Sequence, residues 1–530
     1  MMRPDTAHLA PAGFFAALKR TADRTPDTIA IVDDDGTPRT YRDLHERAGQ
    51  LAAVLRDESG AGPGSRVALA LESGFEYCVA VHAVNALGAI IVPVPTKFRA
   101  PEIRDLLTRS GCDVAFVEER FRQVAESAGI PCRVLLPRTD LAPYPDRLAA
   151  IAPVGGPRLL AEPASPDAPA ILMFTSGTTS RSKGVLMSNR NVGSAVRAYV
   201  DVLGLTAADS CLLATPIYHV TGIVAVLGVM VHVGGVLRIH RRFDARRVLQ
   251  AISDHAVSFV HASPTVFARL LEHREDFPEL PSWRLAACGA AHMPVERIRA
   301  LRDWLPGLSF RTVYGLTETT SPATIMPGGD AWKAHAGSSG RPIPGMEIRI
   351  DARPGSGAAS GIAAIGPILL RGPTIMMGYI DGVASFDEDG WFDTGDVGYL
   401  DDGFLYVVDR TKDMINCGGE KVWCIDLEEN LRAVPGVQDA LVVGIPDSDY
   451  GEVPAALLVA SHGSTPPEGD KPDTSAVVDF LASRVARYSI PKRVLWVDRI
   501  PVTPNLKPDK VAARALFANA SDHDPTRVSA

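Results

Sequence analysis

The stretch ILMFTSGTTSRSKG, residues 171–184, decides how this chain is read: an apolar run ends at Phe174 and passes directly into small, hydroxylated and basic residues. Gly177 lets backbone N–H groups approach an anion closely. Thr175, Ser176, Thr178 and Thr179 offer hydroxyl donors, and Lys183 adds a positive charge that can follow phosphate as it moves. The combination reads as a strand followed by a phosphate cradle, with a nucleoside triphosphate as the ligand. A Walker loop shares the Gly-to-Lys spacing but needs Gly before the lysine and Ser or Thr after it, where this chain has Ser182 and Gly184. Ser/Thr-rich clusters also make ordinary surface turns, so the loop alone leaves that second reading open.

Working outward, 530 residues exceed what one hydrophobic core organises, and at least two domains are expected. Hydrophobic residues at 46%, charged residues at 22% and a net charge of −8 describe a globular protein with no basic stripe for nucleic acid. Small-molecule chemistry is favoured. Seven cysteines, without CxxC or Cys/His spacing, read as reduced thiols rather than a disulfide framework or zinc site. The opening MMRPDTAHLAPAG has no apolar signal core. The longest apolar stretch, 223–236, is broken by glycines and His232 and is too short for a bilayer. The expectation is a cytoplasmic monomer or homodimer without stable membrane insertion.

Helical patterns alternate with short apolar runs: Arg42 to Leu55 then Val67 to Leu71, Phe75 to Ala86 then Ala89 to Val94, and Ile103 to Ser110 then Val114 to Val117. That alternation predicts mixed α/β layers with parallel strands. The same rhythm returns between Leu205 and Ala290, with LLATP, GGVLRI and VSFVHASP as strands. From Gly340 onward, IRI, PILLRG, GYL and FLYVVDR with the Asp402-Gly403 turn predict a smaller β-rich subdomain. Beyond DRTKD, helices at Cys424 to Ala433 and Ser475 to Val485, with strands at Ala440 to Gly444, Pro454 to Val459 and Val494 to Val497, predict a separate small α/β domain. Residues 463–474 read as a surface loop and the tail from about Asn519 as disordered.

Three further motifs enlarge the phosphate loop into a site. CGAAHMP, 288–294, follows a strand-like run, and its small residues would let a flat ring lie against backbone. VYGLTETT, 313–320, places an aromatic, a hydroxyl and a carboxylate together, suited to stacking on a base, hydrogen bonding to phosphate and holding Mg²⁺. Thr317 as a helix cap would explain part of that set but not all of it. In WFDTGDVGYLDDGFLYVVDRTKD, 391–413, a turn carries Asp396 and the strand across a hairpin carries Arg410. A carboxylate at such a turn can accept both hydroxyls of a ribose.

Together these motifs resemble the adenylate-forming superfamily of acyl-CoA synthetases, peptide-synthetase adenylation domains and firefly-type luciferases. The resemblance spans nearly the whole chain, from TYRDLHERAGQLA at 40–52 through PIYHVTG, YGLTE, GRPIPG, TGD and DRTKDMINCGGEKV to IPVTPNLKPDK. It implies a large N-terminal AMP-binding domain (1–409) of mixed α/β sheets with a β-rich subdomain, a hinge (410–412), a small mobile C-terminal α/β domain (413–518) and a tail (519–530). It implies ATP, Mg²⁺ and CoA as co-substrates and cofactor, and a small carboxylic acid as partner.

Carried over residue by residue, Thr175 to Lys183 resemble the β/γ-phosphate binder. Tyr314, Gly315 and Gly289, Ala290 and Ala291 resemble the adenine site, Thr317 an α-phosphate contact, and Glu318 the magnesium ligand. Asp396 and Arg410 resemble ribose anchors, Lys412 the hinge pivot, and Gly418 and Gly419 the loop used in thioester formation. His219 matches the position beside the acyl pocket. Lys507, six residues after Pro501, matches the lysine that bridges carboxylate and phosphate; Lys510 is the rival. His261, Ser263, Cys288, His292 and Met293 are candidates for lining the acid pocket.

The chain departs from the family at Ser180 and Ser182, where glycine and proline are usual, and at Leu506, where glycine usually precedes the lysine. No aspartate stands where amino-acid-activating members hold an α-ammonium, which favours a free carboxylic acid over an amino acid; the acid expected is aryl, arylacrylic or medium acyl. The implied activity is an ATP-dependent acid:CoA ligase. The alternative is an adenylating enzyme with a non-CoA acceptor or another oxyacid, including nitrite as in diazotase-like members.

Overall fold

The computed structural model describes residues 13–135, 147–159, 164–175, 182–352, 365–382, 386–461, 474–503 and 507–519. Two large sheets organise the N-terminal part. One has nine strands in the order Arg341–Pro342, Thr324–Ile325, Ser309–Tyr314, Leu285–Cys288, Phe259–Ala262, Ser210–Leu213, Val236–Ile239, Ile29–Val32, Pro38–Thr40. It is parallel from Ser309–Tyr314 to Ile29–Val32. The other has seven, Gly378–Tyr379, Gly184–Ser188, Pro169–Phe174, Ile90–Pro93, Arg66–Ala70, Val114–Glu118, Cys132–Leu135, and is parallel from Pro169–Phe174 onward.

Strand alternation divides the first sheet between two cores. Phe259, Leu285 and Val313 point into the principal core, while Val260, Ala286 and Phe310 point into a second one. Every residue of the helix Phe75–Ala86 is buried, as its apolar circumference requires, and it packs within the principal core. The neighbouring helix Tyr41–Ser59 starts in a reciprocal capping box between Thr40 and Asp43, a device worth about 1 kcal/mol. It ends at Gly60, whose φ of 69° suits glycine.

A four-stranded antiparallel sheet follows: Glu347–Ile350, Gly366–Arg371, Phe392–Asp401, Phe404–Arg410. Past it, the strands Ile415–Cys417, Glu420–Val422, Val437–Asp447, Gly451–Ala460 and Arg493–Trp496 make a five-stranded sheet. The helices Cys424–Arg432, Thr474–Ala482 and Lys510–Asn519 accompany it, and Leu427, Leu431, Val442, Leu457 and Phe517 share a core of their own. This is the mixed α/β architecture expected, with helices and strands where the periodicities put them.

The apolar stretch 223–236 forms no long helix. A π-helical run, Thr221–Gly228, passes into the short helix Val229–Val233 inside the principal core. Gly222 permits the tight entry, since a Cβ there would meet the Ile217 carbonyl oxygen at 2.5 Å. No helix among the described residues is long and apolar enough to cross a membrane. All seven cysteines are free thiols. The expected surface loop and tail fall outside the described residues, apart from Thr474 and Asn519 at their edges.

Candidate active site

The phosphate-cradle segment joins two antiparallel strands, Pro169–Phe174 and Gly184–Ser188, rather than a strand and a helix. The Thr175 amide donates to the Lys183 carbonyl at 2.9 Å, so the loop is pinched at its base. Ser176, Gly177, Thr178 and Thr179 lie outside the described residues. Arg109, from the helix Ala100–Ser110, donates to the Ser182 carbonyl at 2.5 Å and to its hydroxyl at 3.2 Å, and its guanidinium stacks 5.2 Å from the Phe174 ring centroid. The departure at Ser182 therefore has a local partner: a hydroxyl that Arg109 engages where proline would offer none.

The nucleoside candidates converge. Asp396 and Arg410 are cross-strand neighbours in the hairpin Phe392–Asp401/Phe404–Arg410, as the Asp402-Gly403 turn predicts. Arg410 Nε lies 3.1 Å from Asp396 Oδ1, and Tyr314 donates its hydroxyl to Asp396 Oδ2 at 2.7 Å. Burial pushes the Asp396 carboxyl up from its ordinary range, with Arg410 opposing. Gly289 and Ala290 leave the end of the strand Leu285–Cys288, with Ala290 in left-handed backbone (φ 73°). Such an outlier costs about 1–3 kcal/mol and is typical of a ligand-binding turn. A Cβ at Gly289 would lie 3.1 Å from the Val313 carbonyl, and one at Gly315 3.0 Å from Thr319 Oγ1, so both positions are tight for a side chain. Ala290, Ala291, Tyr314 and Gly315 line one cleft of about 1010 Å³ together with Asp396, Arg410 and Lys507.

Thr317 and Glu318 open a single 3-10 turn after the strand Ser309–Tyr314. Glu318 Oε1 accepts the Tyr379 hydroxyl at 2.9 Å, and the Lys183 ammonium sits 4.6 Å from the Tyr379 ring centroid. Tyr379 thus links the proposed metal ligand to the phosphate-loop lysine; no motif pointed to it, because it arrives on the edge strand Gly378–Tyr379. Among the described residues no cluster of three or more His, Cys, Asp or Glu could hold a metal. A single carboxylate beside a phosphate loop fits Mg²⁺, which keeps waters and takes phosphate oxygens rather than a protein cage.

Thr503 donates its amide to the Lys507 carbonyl at 2.8 Å. Burial pushes the Lys507 ammonium down to about 8, Arg410 adds to that, and Glu318 and Asp396 oppose it. Lys510 also borders the cleft but faces Asp413 at 3.6 Å and Asp409 at 4.0 Å. Its charge is matched at the chain crossing between the two parts. Lys412 lies in the turn at that crossing, where the amides of Asp413 and Met414 both donate to the Arg410 carbonyl. Gly418 and Gly419, both at positive φ, make the exposed tip of the hairpin Ile415–Cys417/Glu420–Val422 and do not border the cleft.

His219 precedes the π-helical run, its ring 4.7 Å from that of Tyr218, and is not among the residues bordering the cleft. His261 is 2% exposed between the sheets, edge-on to Tyr199, with neither ring nitrogen bonded; burial pushes it down to about 4, so it is neutral. The Ser263 hydroxyl is likewise buried without a partner. Cys288 and Met293 are buried in the second core. His292 borders the cleft, as Cys288 and Met293 do, and its Nε2 lies 2.8 Å from Glu429 of the C-terminal part.

Family models match in the same order as the structure: "AMP-binding enzyme" over residues 18–380 and "AMP-binding enzyme C-terminal domain" over 426–507. A methyl-dioxo-octahydroindenyl-propanoyl:CoA ligase of Mycobacterium tuberculosis is 33% identical, covering 94% of this chain and 98% of its own. The o-succinylbenzoate CoA synthetase of Bacillus subtilis, solved with its acyl-adenylate intermediate, superposes with a TM-score of 0.79 at 28% identity, covering 95% of this chain and 98% of that one. Its complex with ATP and magnesium gives a TM-score of 0.78 at 30% identity, covering 93% and 98%. With matching family models over both parts and one cleft gathering the nucleoside candidates and Lys507, the chain belongs to the AMP-binding enzyme family of adenylate-forming ligases.

Proposed function

We propose that the protein is an ATP-dependent carboxylic acid:CoA ligase. One observation carries the reading: Lys507, from the C-terminal part, shares a cleft with Tyr314, Asp396 and Arg410 from the N-terminal part. In this reading the adenine lies against Tyr314 and Gly289 to Ala291, and its ribose hydroxyls bond to Asp396 with Arg410 alongside. The Thr175 to Lys183 loop takes the β- and γ-phosphates. Thr317 and Lys507 meet the α-phosphate, with Lys507 also drawing in the acid's carboxylate. A carboxylate oxygen attacks the α-phosphorus, the new P–O bond forming as the bond to pyrophosphate breaks. Glu318 would hold Mg²⁺, which would supply charge neutralisation for the phosphates. Preorganised cations aimed at developing charge supply most of the acceleration.

The mixed anhydride then meets the CoA thiol: the C–S bond forms as the C–O bond to AMP breaks, and the thiol proton passes to solvent. For this step we assign Lys412 as pivot, Gly418 and Gly419 as the incoming loop, and His219 as the residue flanking the thiol's path, with the division at 409/413. The acid we propose is aryl or medium acyl. The relatives named for a dioxo-indenyl propanoate and for o-succinylbenzoate support a ring-bearing keto acid, and the neutral, unpartnered His261 is suited to receive such an oxygen. We place the enzyme in the cytoplasm as a monomer or homodimer.

A panel of acids assayed for pyrophosphate release, with and without CoA, tests the reading. Release that continues into thioester at a comparable rate supports it. Every active acid stalling as bound adenylate, or nitrite alone driving ATP cleavage, would replace it with the alternative acceptor or oxyacid.

A further inference from the structure

The helix Val295–Trp304 begins without a cap of its own. Pro294 stands at its N-cap position and provides no side-chain oxygen. The other part of the chain faces this start: the Glu429 carboxylate lies 2.8 Å from His292 Nε2, and the nearby Val295 backbone N–H helps hold that carboxyl below its ordinary range. One turn along, Arg297 Nη2 reaches Asp439 Oδ2 at 3.2 Å. These contacts join residues more than 130 positions apart and bring a helix N-terminus, a histidine and an arginine against two carboxylates. Helix N-termini and cations both favour such groups.

Both carboxylates have a second partner within the C-terminal part. Arg432 Nε binds Asp439 Oδ1 at 2.9 Å, and its Nη1 lies 3.5 Å from Glu429 Oε1. Arg432 is further held by Glu428 at 3.3 Å and by the Ala440 carbonyl at 2.7 Å. Separation of the two parts would therefore strand neither acid, whereas acids paired only across the interface would be left as uncompensated charges. On the other side, His292 and Arg297 sit near the rim of the cleft and regain water on parting. The arrangement is attractive when closed and inexpensive to open.

We infer that His292, Arg297 and the bare N-terminus of Val295–Trp304 form a releasable dock for Glu429 and Asp439, and that this dock holds Lys507 in the nucleotide cleft for the first half-reaction. His292 and Arg297 are positioning residues that act through Lys507. The inference rests on the adenylation reading of the cleft, and goes beyond it by naming what sets the closed population.

The test uses the full-length protein with spin labels on unnatural amino acids at exposed Glu279 and Ser483, one in each part. The unaltered protein should give one narrow distance distribution. Arg297→Ala and His292→Ala should broaden it, the double variant most, with the melting temperature unchanged. Their pyrophosphate release should fall about tenfold as the docked population falls, while consumption of a supplied acyl-adenylate with CoA stays at the unaltered rate. Arg297→Lys and His292→Gln, which keep a donor, should restore most of both signals. Identical distance distributions in all variants would overturn the dock. Should no acid release pyrophosphate even in the unaltered protein, the ligase reading falls, and the distance measurement still decides the dock.

Discussion

Tyr314 donates its hydroxyl to Asp396 across 2.7 Å, tying the end of a central parallel strand to the β-hairpin that carries Arg410. Burial holds the Tyr314 phenol well above its ordinary range, so it remains a donor at neutral pH. Asp396 is also raised by burial. For an acid whose folded value is raised, the stabilising contribution is present at acid pH and is lost as pH rises through that value. At neutral pH the Asp396 charge is thus a liability to the fold, retained for the ligand it can bind.

Asp396→Asn is accordingly expected to leave the melting temperature at neutral pH unchanged or raised. The KM for ATP should rise by about tenfold or more, as expected for losing hydrogen bonds to a charged group. Calorimetry and ATP titration check this. An unchanged KM would remove Asp396 from the ribose site.

Lys507 is pushed down to about 8 in the free protein. Deprotonation removes the charge that the first half-reaction needs, so kcat/KM for pyrophosphate release should decline as pH rises through about 8. Lys507→Ala should lower that rate by about 10²-fold or more and flatten the alkaline limb, while supplied acyl-adenylate is still consumed with CoA. If Lys510→Ala produces that pattern and Lys507→Ala does not, the two lysines exchange roles.

Lys412→Pro fixes φ in the turn that joins the two parts. Pyrophosphate release should remain measurable while thioester formation stops. Equal loss of both half-reactions would argue that the turn is not a pivot.

Arg109 grips the phosphate-loop base through the Ser182 carbonyl and hydroxyl. Arg109→Ala should raise the KM for ATP about threefold to tenfold, the scale of one ordinary hydrogen bond lost from the loop base, with a smaller change in kcat. An equal fall in kcat at constant KM would instead place Arg109's influence in the transition state.

Much of the site was legible because its chemistry is written in local order. The cradle segment, YGLTE and TGD each bring their functional groups within a few residues, and a turn at Asp402-Gly403 with strand periodicity suffices to pair Asp396 with Arg410. Tyr379 and Arg109 were not legible. Each reaches its partner over 61 and 73 residues respectively, through the register of an edge strand and the packing of a helix on a sheet.

The choice between Lys507 and Lys510 had the same character. Spacing from Pro501 favoured the first, but both lie in one short stretch of similar composition, and only the seating of the C-terminal part turns Lys507 towards Arg410 and Glu318 and gives Lys510 to Asp409 and Asp413. His292 adds to this, since CGAAHMP brings it to the border of the cleft but does not reveal that its ring meets Glu429, 137 residues away. Sequence alone determined the α/β layering and the family resemblance, and it named the candidate nucleotide groups, because periodicity and short motifs encode local geometry. Tertiary structure alone decided which distant charges meet, because such contacts depend on how whole sheets and domains pack, and no local pattern carries that information.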